Sequence, residues 1–518
     1  MRKDGVAELP VGRAPIALAD LLALARGERT AVLWDDPGYR ARLDAACRAV
    51  EKQLESGGPV YGVTTGVGSG VVDVVPPEHR SEISQHLSRS LGVGTGRILD
   101  EQQAAAVVAA RLVSLASAHS GVRALVLERL CVFLDARLLP RIPEQGSVGA
   151  SGDLAPLSYL AAALAGEREV TLAGRELSAA EAHAELGLEP LALRPKEVLS
   201  LVNGTSVMTA LGCLALDDAL RLARLACAIT AIASEAVHGN PAHFDARIAA
   251  WKPHAGQVRA TGWIAADLEY DPVRPLRKPA RLQDRYSIRC APQVIGVLLD
   301  AAELARGVLE VELNGANDNP LVDPDTGDVL HGGNFYGGHV CFAMDALKGA
   351  VASVADLLDR QLSLLCSPDA TDGLPANLIA VEGPARAAHS GFKAMQIAAS
   401  ALTAEAQKLT MPAAAFSRST ESHNQDKVSL GTIAARDALR VVELAETVAA
   451  IQLLACCQAL DLRGAEGARS RSRALLAAVR KEVPMLREDR RQDQDIARVL
   501  ALLRANALPL GSAHAGGS

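Results

Sequence analysis

Apolar residues recur every three or four positions along most of this chain, and that period predicts helices. Leu18, Leu21, Leu22 and Ala25 form one such stripe and Leu43, Ala46, Val50 and Leu54 another, so two short helices are expected within residues 15–55. Further helices are expected at 79–91, 99–118, 121–138 and from about 195 to 240. From 292 onward the stretches 292–313, 339–366, 385–409 and 428–462 are long, rich in Ala and Leu, and apolar on more than one face. Helices of that kind are surrounded by other helices, in the same chain or in other copies of it. Strand signals are few. Glu169 to Arg175 has strand-turn character, and Ser178 then stands where it would cap a short helix through Glu181.

Three stretches interrupt the helical pattern. Gly57 to Gly70 holds six glycines in fourteen residues, which no regular helix or strand interior tolerates, so a shaped loop is expected. Residues 140–156 are punctuated by Pro140, Pro143 and Pro156, and 253–290 are long and poorly periodic. A loop as long as the latter, in a compact protein, is usually functional. The run Gly511 to Ser518 reads as a flexible end. With 518 residues the chain exceeds one ordinary core, and the division expected is 1–205, a long-helix bundle at 206–475, and a helical tail at 476–518.

Composition narrows the class. Hydrophobic residues make up 49 % of the chain but aromatics only 3 %, so the core is Ala, Leu and Val, suited to closely packed helices rather than a β-sandwich. A net charge of −7 leaves no electrostatic footprint for nucleic acid. No apolar run reaches the roughly 18 residues of a membrane span. Met1 to Gly5 lead into prolines and acids without a signal-type stretch, so a cytoplasmic protein is expected. The nine cysteines include no C-x-x-C pair and read as free thiols, with Cys456 and Cys457 as small buried hydrophobes. Twelve histidines show neither H-x-x-H nor H-E-x-x-H spacing, which argues against a metal-dependent hydrolase and leaves no metal site expected.

The chemistry lies in Gly146-Ser147-Val148-Gly149-Ala150-Ser151-Gly152-Asp153-Leu154-Ala155-Pro156-Leu157. An isolated Ala-Ser-Gly would be a glycine-rich turn before a helix capped by Ser151 or Asp153. The twelve-residue context, however, resembles the signature of the histidine and phenylalanine/tyrosine ammonia-lyase family. Other blocks in the family's order extend the resemblance from roughly residue 55 to 435. They are Tyr61-Gly62-Val63-Thr64-Thr65-Gly66, Leu201-Val202-Asn203-Gly204-Thr205 and Gln283-Asp284-Arg285-Tyr286-Ser287-Ile288-Arg289 running on to Gln293. Asn317 to Leu321, Gly332-Gly333-Asn334-Phe335 and Asn424-Gln425-Asp426 complete the set.

The resemblance implies a mainly α fold: an N-terminal part bearing the signature, then a long-helix bundle. It also implies a homotetramer whose sites each draw on three subunits, to which helices apolar on several faces lend independent support. It implies that Ala150, Ser151 and Gly152 cyclise into a 4-methylidene-imidazol-5-one (MIO). In that reaction the Gly152 nitrogen attacks the Ala150 carbonyl carbon, which needs a kinked backbone and an unhindered nucleophile. Asp153 would aid the proton transfers. The activity implied is elimination of ammonia from an aromatic L-amino acid to give an aryl-acrylate.

Roles follow by the same resemblance. Tyr61 would be the base for the β-proton, with a pKa brought down by helix N-termini and Arg289. Arg289 would hold the substrate carboxylate, and Tyr286 would sit on a mobile loop covering the site. Asn203 would donate to the MIO oxygen or hold the amine. Gln283 and Asn334 would be polar contacts, and Phe335 would pack beside the MIO group. Gln425 stands where histidine-type enzymes have glutamate, which favours the phenylalanine/tyrosine type and places histidine second. The ring-reading pair, Ser88-Arg89, matches neither His-Leu, Phe-Leu nor Ser-His. An MIO-dependent aminomutase remains as the alternative. An inactive helical scaffold is opposed by the joint presence of Tyr61, Ala150, Ser151, Gly152, Asn203 and Arg289.

Overall fold

The computed structural model describes residues 5–274 and 281–510. The expected tail Gly511 to Ser518, residues 1–4 and the stretch 275–280 of the expected long loop lie outside the described residues. The fold is mainly α, as its apolar period predicts.

Local signals set where several helices begin. Asp36 accepts from Tyr39 N at 2.9 Å with Pro37 in the first turn, and the helix Pro37–Glu55 follows. Asp100 and Gln103 cap each other's backbone at the start of Glu101–Leu115. Ser178 and Glu181 do the same for Ala179–Glu185, at the position their spacing predicts. The long stretches expected at 292–313, 339–366 and 428–462 are the helices Ala291–Asn314, Gly338–Cys366 and Gly431–Arg463.

The departures have identifiable causes. The stretch 195–240 is two helices, Pro195–Val202 and Ser206–Ala236, parted where Gly204 takes φ +147°. The expected helix 385–409 begins only at Lys393, after a 3-10 segment Gly383–Ala388. Within the expected loop 253–290 lies a helix, Ala255–Asp267. Its Gly256 reads as a breaker in sequence, yet it serves helix packing: a Cβ there would overlap the Gly296 carbonyl. Strands are short and form four small sheets among the described residues. One pairs Ala7–Val11 with Arg29–Leu33 in parallel, and another places Leu138–Pro140, where the expected helix 121–138 gives way to the expected loop 140–156, beside Glu169–Leu172.

Contacts divide the chain into two units that interleave in sequence, where three consecutive stretches were expected. One comprises residues to Leu214, Ala305–Asp345 and Pro412–Arg436; the other comprises Ala215–Leu304, Ala346–Met411 and everything from Asp437. Four of the five boundaries fall inside long helices, where no linker composition can mark them; the fifth lies between Met411 and Pro412. In the first unit Val107, Leu112, Leu157 and Leu160 are fully buried, and in the second Ile229, Ile264, Leu358 and Ile451 are. Truncating such a leucine to alanine costs about 2–5 kcal/mol.

Candidate active site

Residues 146–153 are held from two sides within the first unit. On one side the Gly149 carbonyl accepts from Ser429 N at 3.2 Å and from Ser429 Oγ at 2.9 Å, while Leu430 N donates to Val148 O at 3.0 Å. On the other side Gly152 pairs with Gly204, and Asp153 N donates to the Gly204 carbonyl at 2.8 Å. Gly149 and Gly152 have φ of +66° and +71°, and a Cβ on Gly152 would overlap the Gly204 carbonyl. Glycine is therefore required at 152 both by conformation and by space.

Asp153 is fully buried and ties this turn to a helix. Its Oδ2 accepts from Val207 N at 3.0 Å and Met208 N at 2.9 Å, both in the first turn of Ser206–Ala236. Those amides have no partner inside their own helix, and the helix dipole favours a carboxylate there. Oδ1 accepts from Ser147 Oγ at 3.1 Å and from Thr432 Oγ1. Burial pushes the Asp153 pKa up to about 6, with the four donors opposing the rise.

Three expected residues meet at the turn. Asn203 Nδ2 donates to the Ser151 carbonyl at 2.8 Å, and Gln425 Nε2 donates to Ser151 Oγ at 3.1 Å. The Asn203 Oδ1 atom is buried with no hydrogen-bond partner. Asn203 holds this place because the helix Pro195–Val202 ends there and Gly204 turns the chain.

Tyr61 lies half-buried in the glycine-rich loop, which is irregular as expected, and its hydroxyl accepts from Gly68 N at 2.7 Å. Its pKa is raised, not lowered as the sequence led us to expect. Burial is the main cause; the Glu421 carboxylate adds to it and the Gly68 amide opposes it. Glu421 reaches this loop by accepting from Ser69 N at 2.9 Å and Ser69 Oγ at 2.8 Å. His331 Nε2 accepts from the Tyr61 amide at 3.4 Å.

Ser88 and Arg89 part company at the end of the helix Arg80–Leu91. Ser88 is buried and donates to Gln85 O at 3.1 Å. Arg89 is exposed and binds Glu167 through two bonds of 3.1 and 2.6 Å. Asn334 is exposed and donates to Ala316 O at 3.2 Å, and Phe335 is half-buried.

Gln283, Tyr286 and Arg289 belong to the second unit. Gln283 is exposed, and Tyr286, 72 % exposed, opens the short helix Tyr286–Arg289. The Arg289 guanidinium lies 4.7 Å from the Tyr286 ring centre, and its Nε donates to Asp284 O at 3.0 Å. Asp284 is itself fixed by accepting from Asn240 N at 2.7 Å.

Residues 16–481 match the family model described as aromatic amino acid lyase. The chain belongs to that family. It is 39 % identical over 487 residues to a histidine ammonia-lyase of Koribacter versatilis, covering 91 % of this chain and 93 % of that one. It is 38 % identical over 509 residues to a tyrosine ammonia-lyase of Cupriavidus metallidurans, covering 94 % of each. A solved tyrosine aminomutase from Streptomyces globisporus superposes with a TM-score of 0.88 at 35 % identity, covering 96 % of this chain and 97 % of that one. These proteins act on carbon–nitrogen bonds, and the chain is an enzyme of the carbon–nitrogen lyase class.

In this family member, sequence reasoning missed several residues around the turn. Ser147 stood inside the quoted signature and Glu421 four residues before Gln425, so proximity to a motif was the available signal. His331, directly before Gly332, carried the same signal, whereas Thr432 and Arg111 carried none. Their places depend on contacts between segments far apart in the chain.

Proposed function

We propose that this lyase eliminates ammonia from an aromatic L-amino acid to give an aryl-acrylate, using an MIO group formed from Ala150, Ser151 and Gly152. The observation that carries the reading is the convergence of Asn203 and Gln425 on Ser151, at a turn where Gly152 is backed by Gly204. The residues present fit the group. Gly152 leaves its nitrogen unhindered, the Ser151 carbonyl already has a donor, and the unpartnered Asn203 Oδ1 offers an acceptor for a substrate ammonium. When formed, the group supplies an electrophile that no ordinary side chain provides.

The chain's own groups do the rest. The Tyr61 hydroxyl oxygen takes the β-proton, and the Gly68 amide stabilises its ionised form. Arg289 offers two parallel hydrogen bonds to the substrate carboxylate, with Tyr286 and Gln283 beside it in sequence. Ser88, Asn334 and Phe335 are assigned to the substrate side chain. The arrangement calls for a homotetramer with shared sites, a reading supported by exposed apolar side chains such as Phe342 at 62 % and Val311 at 75 %. The nine cysteines form no disulfide among the described residues, which accords with a reducing cytoplasm.

The phenylalanine/tyrosine preference drawn from Gln425 has no support from the relatives, which include histidine and tyrosine enzymes at nearly equal identity. Histidine and tyrosine are therefore the first substrates to test. Purified protein incubated with histidine, tyrosine and phenylalanine should release ammonia and an ultraviolet-absorbing acrylate from at least one. No acrylate from any would overturn the reading. The aminomutase alternative draws on the likeness to a tyrosine aminomutase structure, and a β-amino acid product would identify it.

A further inference from the structure

Arg111 is a buried cation that the reaction as described does not use. It sits within the helix Glu101–Leu115 and is 0 % exposed. Its Nη1 donates to Asn317 Oδ1 at 3.1 Å and lies 3.4 Å from Ser206 Oγ, whereas Nε and Nη2 are buried with no partner. A guanidinium left so poorly matched is costly, and an apolar residue of similar size would suit a mere core position better. Something other than packing accounts for its presence.

Its contacts lead to the catalytic turn. A Cβ on Gly204 would overlap Arg111 Nη1, and a Cβ on Gly152 would overlap the Gly204 carbonyl. Guanidinium, Gly204 peptide and Gly152 are thus stacked, with no side chain between them. Two acids lie close enough to raise the Arg111 pKa, Asp318 and Asp153, although burial prevails and brings it down to about 10. Asp318 already has its own cation, Lys196 at 2.8 Å, and also accepts from Ser120 and Ser200. The donors bonded to Asp153 are all uncharged.

We propose that Arg111 is a positioning residue for closure of the Ala150-Ser151-Gly152 ring, backing the Gly204 peptide against Gly152 and placing a positive charge near Asp153. The inference rests on the reading that this ring forms. In closure the Gly152 nitrogen bonds to the Ala150 carbonyl carbon. The Ala150 oxygen leaves as water with the amide protons of Gly152 and Ser151, and Ser151 then loses its α-hydrogen and hydroxyl as a second water. The charged groups coupled to Asp153 are Arg111 and Glu312; Asp318 and Lys196 in turn act on Arg111, and His339 on Glu312. Without the Arg111 charge, Asp153 needs a higher pH to ionise, so the pH profile of closure moves upward.

The test follows loss of two waters by intact mass in freshly translated wild type, Arg111→Met and Arg111→Lys, across pH, alongside thermal unfolding. Wild type that keeps both waters would refute ring formation itself, whatever Arg111 does. Given closure in wild type, Arg111→Met should close about 10-fold more slowly or worse, the range for partners that act through a site residue, with its profile displaced to higher pH. Closure at the wild-type rate overturns the proposal. Slow closure that tracks a lowered melting temperature with an unmoved pH profile also overturns it, since Arg111 would then be structural. Should Arg111→Met not fold, Arg111→Lys decides. Its shorter ammonium should slow closure while leaving the pH profile near wild type, and an unchanged rate would defeat the idea.

Discussion

Asn203 Nδ2 donates to the Ser151 carbonyl at 2.8 Å while the Oδ1 atom of the same side chain is buried without a partner. On the proposed function, one amide would then serve both Ser151 and, through its unpartnered oxygen, a substrate ammonium. Replacing Asn203 with Ala should lower kcat about 10²–10³-fold, the loss typical of a preorganised donor. Steady-state kinetics on the best substrate of the panel measures it; a kcat within a few-fold of wild type removes Asn203 from the site.

Gly152→Ala should block maturation. The added methyl meets the Gly204 carbonyl, and φ of +71° is unfavourable for an L side chain. Overpacking of this kind costs about 1–3 kcal/mol, so the variant should melt lower and keep both waters in its intact mass. A mature mass in Gly152→Ala would contradict the geometry.

Tyr61→Phe should still lose two waters relative to its own sequence mass while lowering turnover about 10²–10⁴-fold, the usual contribution of a general base. The neighbouring acid gives a finer check. Glu421 holds the Tyr61 pKa up, and a negative charge beside a phenol disfavours the phenolate. Glu421→Gln should therefore move the acid limb of the kcat/KM profile to lower pH. A limb that stays in place, or moves upward, would show that another group sets it.

Asp153 makes stability depend on pH. Its pKa rises from 3.8 to about 6 on folding, so between those values the native state holds the proton more tightly than the unfolded chain does. The stabilisation from that proton is complete below 3.8 and is lost as pH climbs through about 6. The swing is roughly 3 kcal/mol, from about 1.4 kcal/mol per pKa unit. Denaturation from pH 4 to 7 should show this slope in wild type and not in Asp153→Asn, although the latter is less stable throughout. Parallel pH curves for the two would show that Asp153 does not titrate in this window.

Arg89→Leu should leave substrate preference unchanged. The guanidinium is committed to Glu167 through two hydrogen bonds and is exposed, which assigns it to the scaffold and leaves the buried Ser88 to the substrate. The same panel of amino acids provides the measurement. A shift toward phenylalanine in Arg89→Leu would place Arg89 in the ring-reading position.

Most of the helix placement, the cap at Ser178, and the Ala150-Ser151-Gly152 signature were legible in the sequence because each depends on residues a few positions apart. A 3.6-residue period, a side chain reaching an amide three residues on, and a tripeptide signature are local features of the chain. Gly256 shows where that reasoning stops, since a glycine that breaks a helix and one that lets two helices touch look alike until Gly296 is beside it. The direction of the Tyr61 pKa shift depended on Glu421, about 360 positions away in sequence, and on burial that no window of residues reveals. Likewise the donors on Asp153, the stacking of Arg111 on Gly204 and the pairing of Arg89 with Glu167 join distant segments. Tertiary structure alone decided these, because the energy of a buried charge is set by what surrounds it in space and not by its neighbours along the chain.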